Sequence, residues 1–557
     1  MSDSTISRRE LIRRSGVLGS LVALPGLHPN ALYARCGDPD LSRPDDQSTA
    51  TPVRAGSGPT GLRPGPEIYE SIGVRPLVNA RGTFTIVSGS LMLPEVRAAM
   101  DAASRHYVHL DELAEAIGAR LATLTGAEWG LVTSGCSAAL THATAACVAG
   151  GNPDLHVRIP NLGGFPKDEV IIPKHSRNVY DAAVRTVGVR VIEVTTLAEL
   201  ESALGPRTAM IYVLAGPNAD NSPLNVKAMA PLAQAAGVPI LVDAAAEILT
   251  IPNVHLQNGA SLVGYSGGKC LRGPQSAGLL LGRKDLVRAA WVHHAPHHGY
   301  SRSMKVGKEE AIGMLMAVEI WTKRDYDAEM KVWGSWLEQI ARRVSTLDGV
   351  TSSIAQPTGL SNRTPTLRLR WDRQRIAISG DAVAKILLDT APRIVTAGGG
   401  GGGAGAPATV TGISITPYML SPGDEKIIGD RIYAILSNPP ASPAAQVAPP
   451  ATDLTGQWDV RIEFVAGTSS RHGFFLRQRA NDLDGSHRGD FVARDLTGTV
   501  DGDAVVIRSN YGESNGDALS FAFSGKVTGD EMGGALDMGE YLTAKWTATR
   551  KDRGRRQ

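Results

Sequence analysis

Six short apolar runs recur between residues 130 and 281: Gly130–Thr133, Glu169–Ile172, Val189–Val194, Met210–Leu214, Val238–Val242 and Gly278–Leu281. Stretches with helical spacing, such as Val226–Ala236, lie between them. Buried strands alternating with helices predict an α/β fold, a mainly parallel sheet covered on both faces. Ahead of the first run, Leu110, Leu113, Ala114, Ile117, Leu121 and Leu124 repeat at helical spacing, and Gly126 stands where a helix stop belongs.

The chain has 557 residues, about three to four times the ~150 residues of a typical domain, so several units are expected. Lys and Arg number 57 and Asp and Glu 55, a net charge of +2. The first 34 residues carry +2 and the last eight +4, which leaves residues 35–549 at −4. That body offers no basic face for nucleic-acid phosphates. Four cysteines are too few for a disulfide framework.

Residues 1–34 have the order of an export signal: Ser7-Arg8-Arg9, a short apolar run Gly16–Leu24, and a small residue, Ala34, at the end. The paired arginines resemble a twin-arginine signal, which implies export of an already folded protein to the periplasm or beyond. The apolar run is too short to span a bilayer, and Ala34-Arg35 ahead of Cys36 argues against a lipid anchor. Residues 35–66 read as a linker and residues 67–348 as the large domain. Residues 349–437 read as a small α+β domain, with strands expected at Thr366–Arg370, Arg375–Ile378 and Ile413–Thr416 and a helix at Ala382–Leu388. The six glycines 398–403 lack the Lys-Ser/Thr of a phosphate loop and read as a hairpin tip. A Pro/Ala linker (438–452) leads to a small antiparallel β-domain (453–549), sandwich or barrel, and a basic tail (550–557). In that β-domain Trp458, Val460, Ile462 and Phe464 alternate, as do Leu519, Phe521 and Phe523. Turns are expected at Asn481–Gly489, Gly498–Asp503 and Ser509–Asp517. No convergent polar cluster stands out there.

Three motifs follow one another in the large domain. Thr133-Ser134-Gly135-Cys136-Ser137 leaves a strand and opens an apolar helix, where backbone N–H groups and the helix dipole favour an anion. Asp243 ends the run Val238–Val242, at the strand edge where ligands of open α/β sheets sit. Lys269 stands in Tyr265-Ser266-Gly267-Gly268-Lys269, flanked by glycines and apolar strands, and partial desolvation there favours the neutral, nucleophilic amine. An anion cup, a carboxylate and a reactive lysine together describe a pyridoxal phosphate site.

With Asn79-Ala80-Arg81-Gly82-Thr83, Val242-Asp243-Ala244-Ala245-Ala246-Glu247 and Gly273-Pro274-Gln275, these motifs resemble one group of fold-type-I enzymes. It is the selenocysteine synthase and D-glucosaminate-6-phosphate ammonia-lyase group, and the likeness covers roughly residues 67–437. The resemblance implies that Lys269 forms an imine with the cofactor and shuttles a proton, and that Asp243 pairs with the ring nitrogen. Ser134, Gly135, Cys136 and Ser266 would hold the phosphate, and His175 would stack on the ring. It makes Arg81, Arg302, Lys305, Lys308 and Arg393 candidates for the acid groups of the substrate. It also implies a homodimer or larger assembly and the loss of ammonia or a β-substituent from a small amino acid or amino sugar acid. An exported enzyme with a neutral body would not meet a charged tRNA, so selenium transfer fits less well.

Other readings stay open. A seleniumtransferase-like or aminotransferase-type transferase would use the same motifs. Ser266-x-x-Lys269 matches the motif of serine acyl hydrolases, but Gly267-Gly268 disfavour the helix that chemistry needs. His293-His294-Ala295-Pro296-His297-His298 reads as a polar loop near the site's mouth rather than a metal site. A non-catalytic binding protein is the last alternative.

Overall fold

The computed structural model describes residues 61–398, 409–440, 447–510 and 520–551. The export signal, most of the first linker, the glycine run beyond Gly398, Leu519, and parts of the second linker and basic tail lie outside the described residues. Residues 61–75 are a unit by themselves, with a 3-10 turn at Glu70–Ile72 closed by Gly73 at φ +81°.

From Pro76 onward the first strands are Val78–Asn79 (β1), Trp129–Thr133 (β2), Glu169–Pro173 (β3), Arg190–Val194 (β4), Thr208–Leu214 (β5), Ile240–Asp243 (β6), Leu262–Ser266 (β7) and Gly278–Gly282 (β8). Strands β2 to β8 form one sheet in the order β2-β8-β7-β6-β5-β3-β4. All neighbouring pairs are parallel except the two that β8 makes with β2 and β7. Thus the mainly parallel sheet expected from the sequence is present, covered by a hydrophobic cluster on each face. Parallel neighbours need a long crossover, commonly a helix. Residues 267–277 contain no helix, so β7 and β8 lie side by side in opposite directions.

The helix Gly135–Ala149 is buried nearly all round, as expected of a helix apolar on every face. Its small residues let the sheet come close. A Cβ on Gly278 would lie 2.2 Å from the Gly135 carbonyl carbon, and one on Gly264 would lie 3.2 Å from Cys136 Sγ.

Val350–Ala355 (β9), Thr366–Asp372 (β10), Ile394–Val395 (β11) and Val410–Ile415 (β12) belong to a second layer, with β12-β10-β9 antiparallel and β11 paired parallel to β1. Its core joins Leu367, Leu369 and Ile413 to Ala80 and to Leu337, Ile340 and Val344 of the helix Tyr326–Val344. The expected strand at Arg375–Ile378 is absent. Asp372 O instead accepts from Arg375 N and Ile376 N at 3.0 Å each, and Trp371 Nε1 donates to Ile378 O at 2.8 Å, so the segment turns back on the end of β10. Strand β9, whose Thr351–Ser353 are exposed, carries no apolar alternation that would have announced it.

Residues 79–93 link this layer to the lysine loop. Ala80 N donates to Val395 O (2.9 Å), Thr416 N to Ala80 O (2.8 Å), Ser90 N to Gly268 O (3.0 Å) and Leu93 N to Arg272 O (3.2 Å).

The last domain is a closed barrel of eight sequential antiparallel strands: Gly456–Glu463 (β13), Ser469–Arg479 (β14), Asp482–Arg488 (β15), Ala493–Asp501 (β16), Ala504–Asn510 (β17), Ser520–Thr528 (β18), Glu531–Asp537 (β19) and Thr543–Arg550 (β20). Closure leaves no unpaired edge. Trp458, Val460, Ile462, Phe474, Phe523 and Trp546 fill the interior. Asn481–Gly489, expected as a turn, holds strand β15. The turn is only Ala480-Asn481, with Ala480 at φ +51°, and the inward Gly485 and His487 had hidden the alternation. Among the described residues no helix is long and apolar enough to cross a membrane.

Gly278→Ala should lower the unfolding free energy by about 1–3 kcal/mol, because the new methyl meets backbone rather than a side chain that can yield. Urea unfolding checks this; an unchanged midpoint would mean that β8 and the helix start do not approach as described.

Candidate active site

Asp243 is the last residue of β6 and is 2% exposed. Tyr212 Oη, from neighbouring β5, donates to Asp243 Oδ2 at 3.0 Å, and Ala245 N donates to Oδ1 at 3.1 Å. The Cys136 thiol faces Oδ1 at 3.6 Å. Asn178 Nδ2 donates to Tyr212 Oη at 3.3 Å and so holds the phenol from behind. Burial raises the Asp243 carboxyl from its usual range, against the pull of the Ala245 N–H, Tyr212 and the Lys269 charge. Burial, and then the Asp243 charge, raise Cys136 and Tyr212 well above theirs, so both remain protonated donors.

Lys269 is half-buried in the loop between β7 and β8. The loop is tied across its base: Gly267 N donates to Ala277 O (2.8 Å), Gly273 N to Gly267 O (2.9 Å) and Arg272 N to Lys269 O (3.0 Å). Cβ atoms on Gly267 and Gly268 would lie 2.7 Å from Ala277 O and 2.6 Å from Gln275 Cα. The glycines beside the lysine are therefore required by the packing of the loop. The Lys269 charge reaches Asp243, Cys136 and Cys270, lowering the proton affinity of each.

The anion cup lies at the start of the helix Gly135–Ala149. Ser134 precedes it without capping any helix N–H, and Gly135 takes φ +80°. The first-turn N–H groups are left for an outside acceptor. Ser266 ends β7 rather than opening a helix, which removes the structural requirement of the acyl-hydrolase motif. His175 follows β3 directly, with Nδ1 3.0 Å from Ser176 Oγ, and burial lowers its basicity so that it stays neutral. Ser176 Oγ in turn accepts from Leu214 N at 3.1 Å, at the end of β5.

The candidate substrate cations are more scattered. Arg81 stacks on Phe84 (4.4 Å) in the segment that joins the second layer. Arg393 precedes β11 and donates from Nε to Leu388 O at 2.7 Å. Arg302 is exposed and donates to Pro296 O at 2.9 Å, and Lys305 is exposed beyond it. Lys308 is engaged with Glu309 and with Ala103 O. Among the described residues, no hydrogen bond or ion pair joins Arg81, Arg302, Lys305 or Lys308 to Asp243, Lys269 or the anion cup.

The histidine run differs from its expected place in a polar loop. His293 and His294 are 0% and 1% exposed. His293 ends a helix, with Nδ1 2.7 Å from His156 Nδ1 and Nε2 2.9 Å from Gly150 O, and burial lowers it to about 4. A neutral imidazole can be buried at modest cost when both nitrogens find partners. Tyr212, Asn178 and Ser90 were not marked by sequence: Tyr212 and Asn178 lie outside the three motifs, and only the pairing of β5 with β6 brings the tyrosine to Asp243.

This donor set fits pyridoxal phosphate. Asp243 is a buried carboxylate suited to a cationic ring nitrogen, and the uncapped helix start suits a phosphate. The Ser90 hydroxyl, buried without a hydrogen-bond partner among the described residues, lies on the residue whose N–H bonds Gly268 O.

Residues 166–300 match the family model for aminotransferase class-V. The chain is 32% identical over 300 residues to D-glucosaminate-6-phosphate ammonia lyase of Salmonella typhimurium, covering 52% of this chain and 79% of that one. It is 32% identical over 299 residues to 5'-C-glycyluridine monooxygenase-decarboxylase of Streptomyces sp, covering 52% and 73%. It is 27% identical over 263 residues to L-seryl-tRNA(Sec) selenium transferase of Moorella thermoacetica, covering 42% and 53%. A solved structure of a D-glucosaminate-6-phosphate ammonia-lyase superposes with a TM-score of 0.59 at 27% identity, covering 67% of this chain and 98% of that one. With about a third of the aligned residues shared along most of the Salmonella enzyme, the chain belongs to the pyridoxal-phosphate-dependent type I family that contains D-glucosaminate-6-phosphate ammonia lyase.

Proposed function

We propose that the protein is a lyase that removes ammonia or a β-substituent from a small amino acid or amino sugar acid, exported by the twin-arginine route and working as a homodimer or larger assembly. The observation that carries the reaction is the buried Asp243 carboxylate, hydrogen-bonded on both oxygens, within reach of the Lys269 charge. The paired arginines of the first 34 residues support export. Exposed Phe84, Ile86, Leu91 and Tyr107 support assembly, since such apolar groups are commonly covered by another chain.

When bound, the cofactor supplies an aldehyde for a primary amine and a cationic ring that draws electrons from the substrate α-carbon. Asp243 keeps the proton on the ring nitrogen. Tyr212, Ala245 N–H and Cys136 fix the carboxylate so that it need not reorganise during reaction. Lys269 would take the α-proton at Nζ and hand it to the departing group. The backbone N–H groups of Gly135 and Cys136, with the Ser134 and Ser266 hydroxyls, anchor the phosphate. His175 would cover the ring, and Arg81, Arg393, Arg302 and Lys305 are the candidates to receive the substrate's acid groups. A tRNA substrate is not part of this reading, because residues 35–549 carry −4.

The likeness to a protein named as a monooxygenase-decarboxylase carries a second reading, oxygen-dependent decarboxylation on the same residues. A panel of amino acids and amino sugar acids, assayed for ammonia, keto acid, carbon dioxide and oxygen uptake, separates the two. Ammonia or keto-acid release without oxygen uptake is the expected result.

Lys269→Ala should lose both turnover and the borohydride-sensitive absorption of the cofactor; retention of that absorption would move the reactive amine elsewhere. Asp243→Ala should keep the pigment yet lose at least about a hundredfold in kcat, as removal of one preorganised charge does. Near-normal kcat would refute its role. Tyr212→Phe removes one hydrogen bond from that carboxylate and should cost about two- to tenfold in kcat with KM unchanged.

A further inference from the structure

The two ends of the C-terminal barrel differ. At one end the strands are joined by the tight turns Ala480-Asn481, Gly502-Asp503 and Gly529-Asp530, and the inward residues Leu476, Leu483, Val500, Val505, Val527 and Met532 are apolar and buried. At the other end, where residues 464–468, 489–492 and 538–542 connect the strands, four consecutive strands turn polar groups inward. Ser470 and His472 share a face with buried Phe474 on β14. His487 shares one with Leu483 on β15, Arg494 with Leu496 on β16, and Ser509 with Ile507 on β17. This corrects the expectation, drawn from sequence, that the domain lacks a convergent polar cluster.

These groups form a continuous string. Ser470 Oγ lies 2.9 Å from His472 Nε2, His472 Nδ1 lies 2.7 Å from His487 Nε2, and His487 Nδ1 lies 2.7 Å from Ser509 Oγ. Burial lowers both imidazoles, against the Asp490 charge and with that of Arg494 at His472, and with His472 and Arg494 adding to it at His487, which falls to about 3. A neutral imidazole and a hydroxyl each donate and accept one bond. The string can therefore reverse its direction without losing a link, and its half-buried Ser470 end offers either role.

The turn that starts beside it carries an exposed aromatic ring. Gly489 N donates to Val492 O at 2.8 Å, closing a turn that carries Phe491 at 98% exposure. The base of that turn lies on the cluster: a Cβ at Gly489 would be 3.3 Å from His472 Cε1 and 3.4 Å from Arg494 Nη1. Arg494 itself lies 4.6 Å over the Phe521 ring. Below this level the lumen is filled by Phe474, Phe523 and Trp546, whose ring centroids are 5.0 to 6.1 Å apart, so a ligand belongs at the mouth. Among the described residues no three metal-ligating side chains converge.

Groups that both donate and accept, next to an exposed ring, match the hydroxyls and the C–H face of a sugar, and barrel mouths are preferred ligand sites. We propose that the end of the C-terminal barrel that carries residues 489–492 binds a saccharide, with one sugar ring on Phe491 and a hydroxyl met by Ser470, the half-buried end of the string. The site is separate from the Lys269 centre and does not depend on the lyase reading.

Calorimetric titration of the full-length holoprotein with cellotriose, chitotriose and trigalacturonate tests this. At least one trisaccharide should bind with unit stoichiometry. Phe491→Ala, which removes only an exposed side chain, and Ser470→Ala should each weaken that binding by about tenfold or more, as truncation of a central contact does. Lys269→Ala should leave it unchanged. Absence of binding by all three at concentrations up to about 10 mM, well above ordinary recognition affinities, would overturn the proposal. So would binding that survives Phe491→Ala, or binding lost in Lys269→Ala.

Discussion

A carboxylate held away from water at the end of β6 is the constraint to which the rest of the large domain answers. Asp243 is 2% exposed, and burial alone would leave its charge unfavourable. Donors from three directions make it tolerable: a phenol from the adjacent strand, a backbone N–H two residues on, and a thiol from the first turn of the central helix. Each requires a particular piece of architecture. The phenol needs β5 in register with β6, the N–H needs the chain to turn at once, and the thiol needs the helix start pressed against β7 and β8.

Close approach, of the helix start at two positions and within the lysine loop at two more, explains the glycines better than flexibility does. Gly264, Gly267, Gly268 and Gly278 sit where a side chain would meet Cys136, Ala277, Gln275 or Gly135. They are spacers removed so that backbone can meet backbone. The lysine loop, tied at its base, then holds the backbone of Lys269 in a fixed place, which suits the role proposed for its amine.

Much of this could be read from the chain because the strands of the large sheet are nearly continuous apolar runs, and because the cofactor chemistry needs a carboxylate, an amine and an anion cup in a set order. Asp243, Lys269 and Ser134-Gly135-Cys136 stood out for that reason. Contacts across strands were not legible: Tyr212 is simply one apolar-strand tyrosine until its strand is paired. Strands whose inward positions are polar or glycine also escaped notice, as in Asp482–Arg488, and exposed edges such as Val350–Ala355 carry no alternation. The buried His293 reads as surface in the sequence because its partners, His156 and Gly150, are more than a hundred residues away.

Residues 79–93 are pinned at both ends, by Val395 and Thr416 in the second layer and by Gly268 and Arg272 beside the lysine. A strap of this kind transmits tension. Any shift of the second layer against the lysine loop is therefore felt both at Arg81 and in the backbone on either side of Lys269, which one mechanical linkage joins.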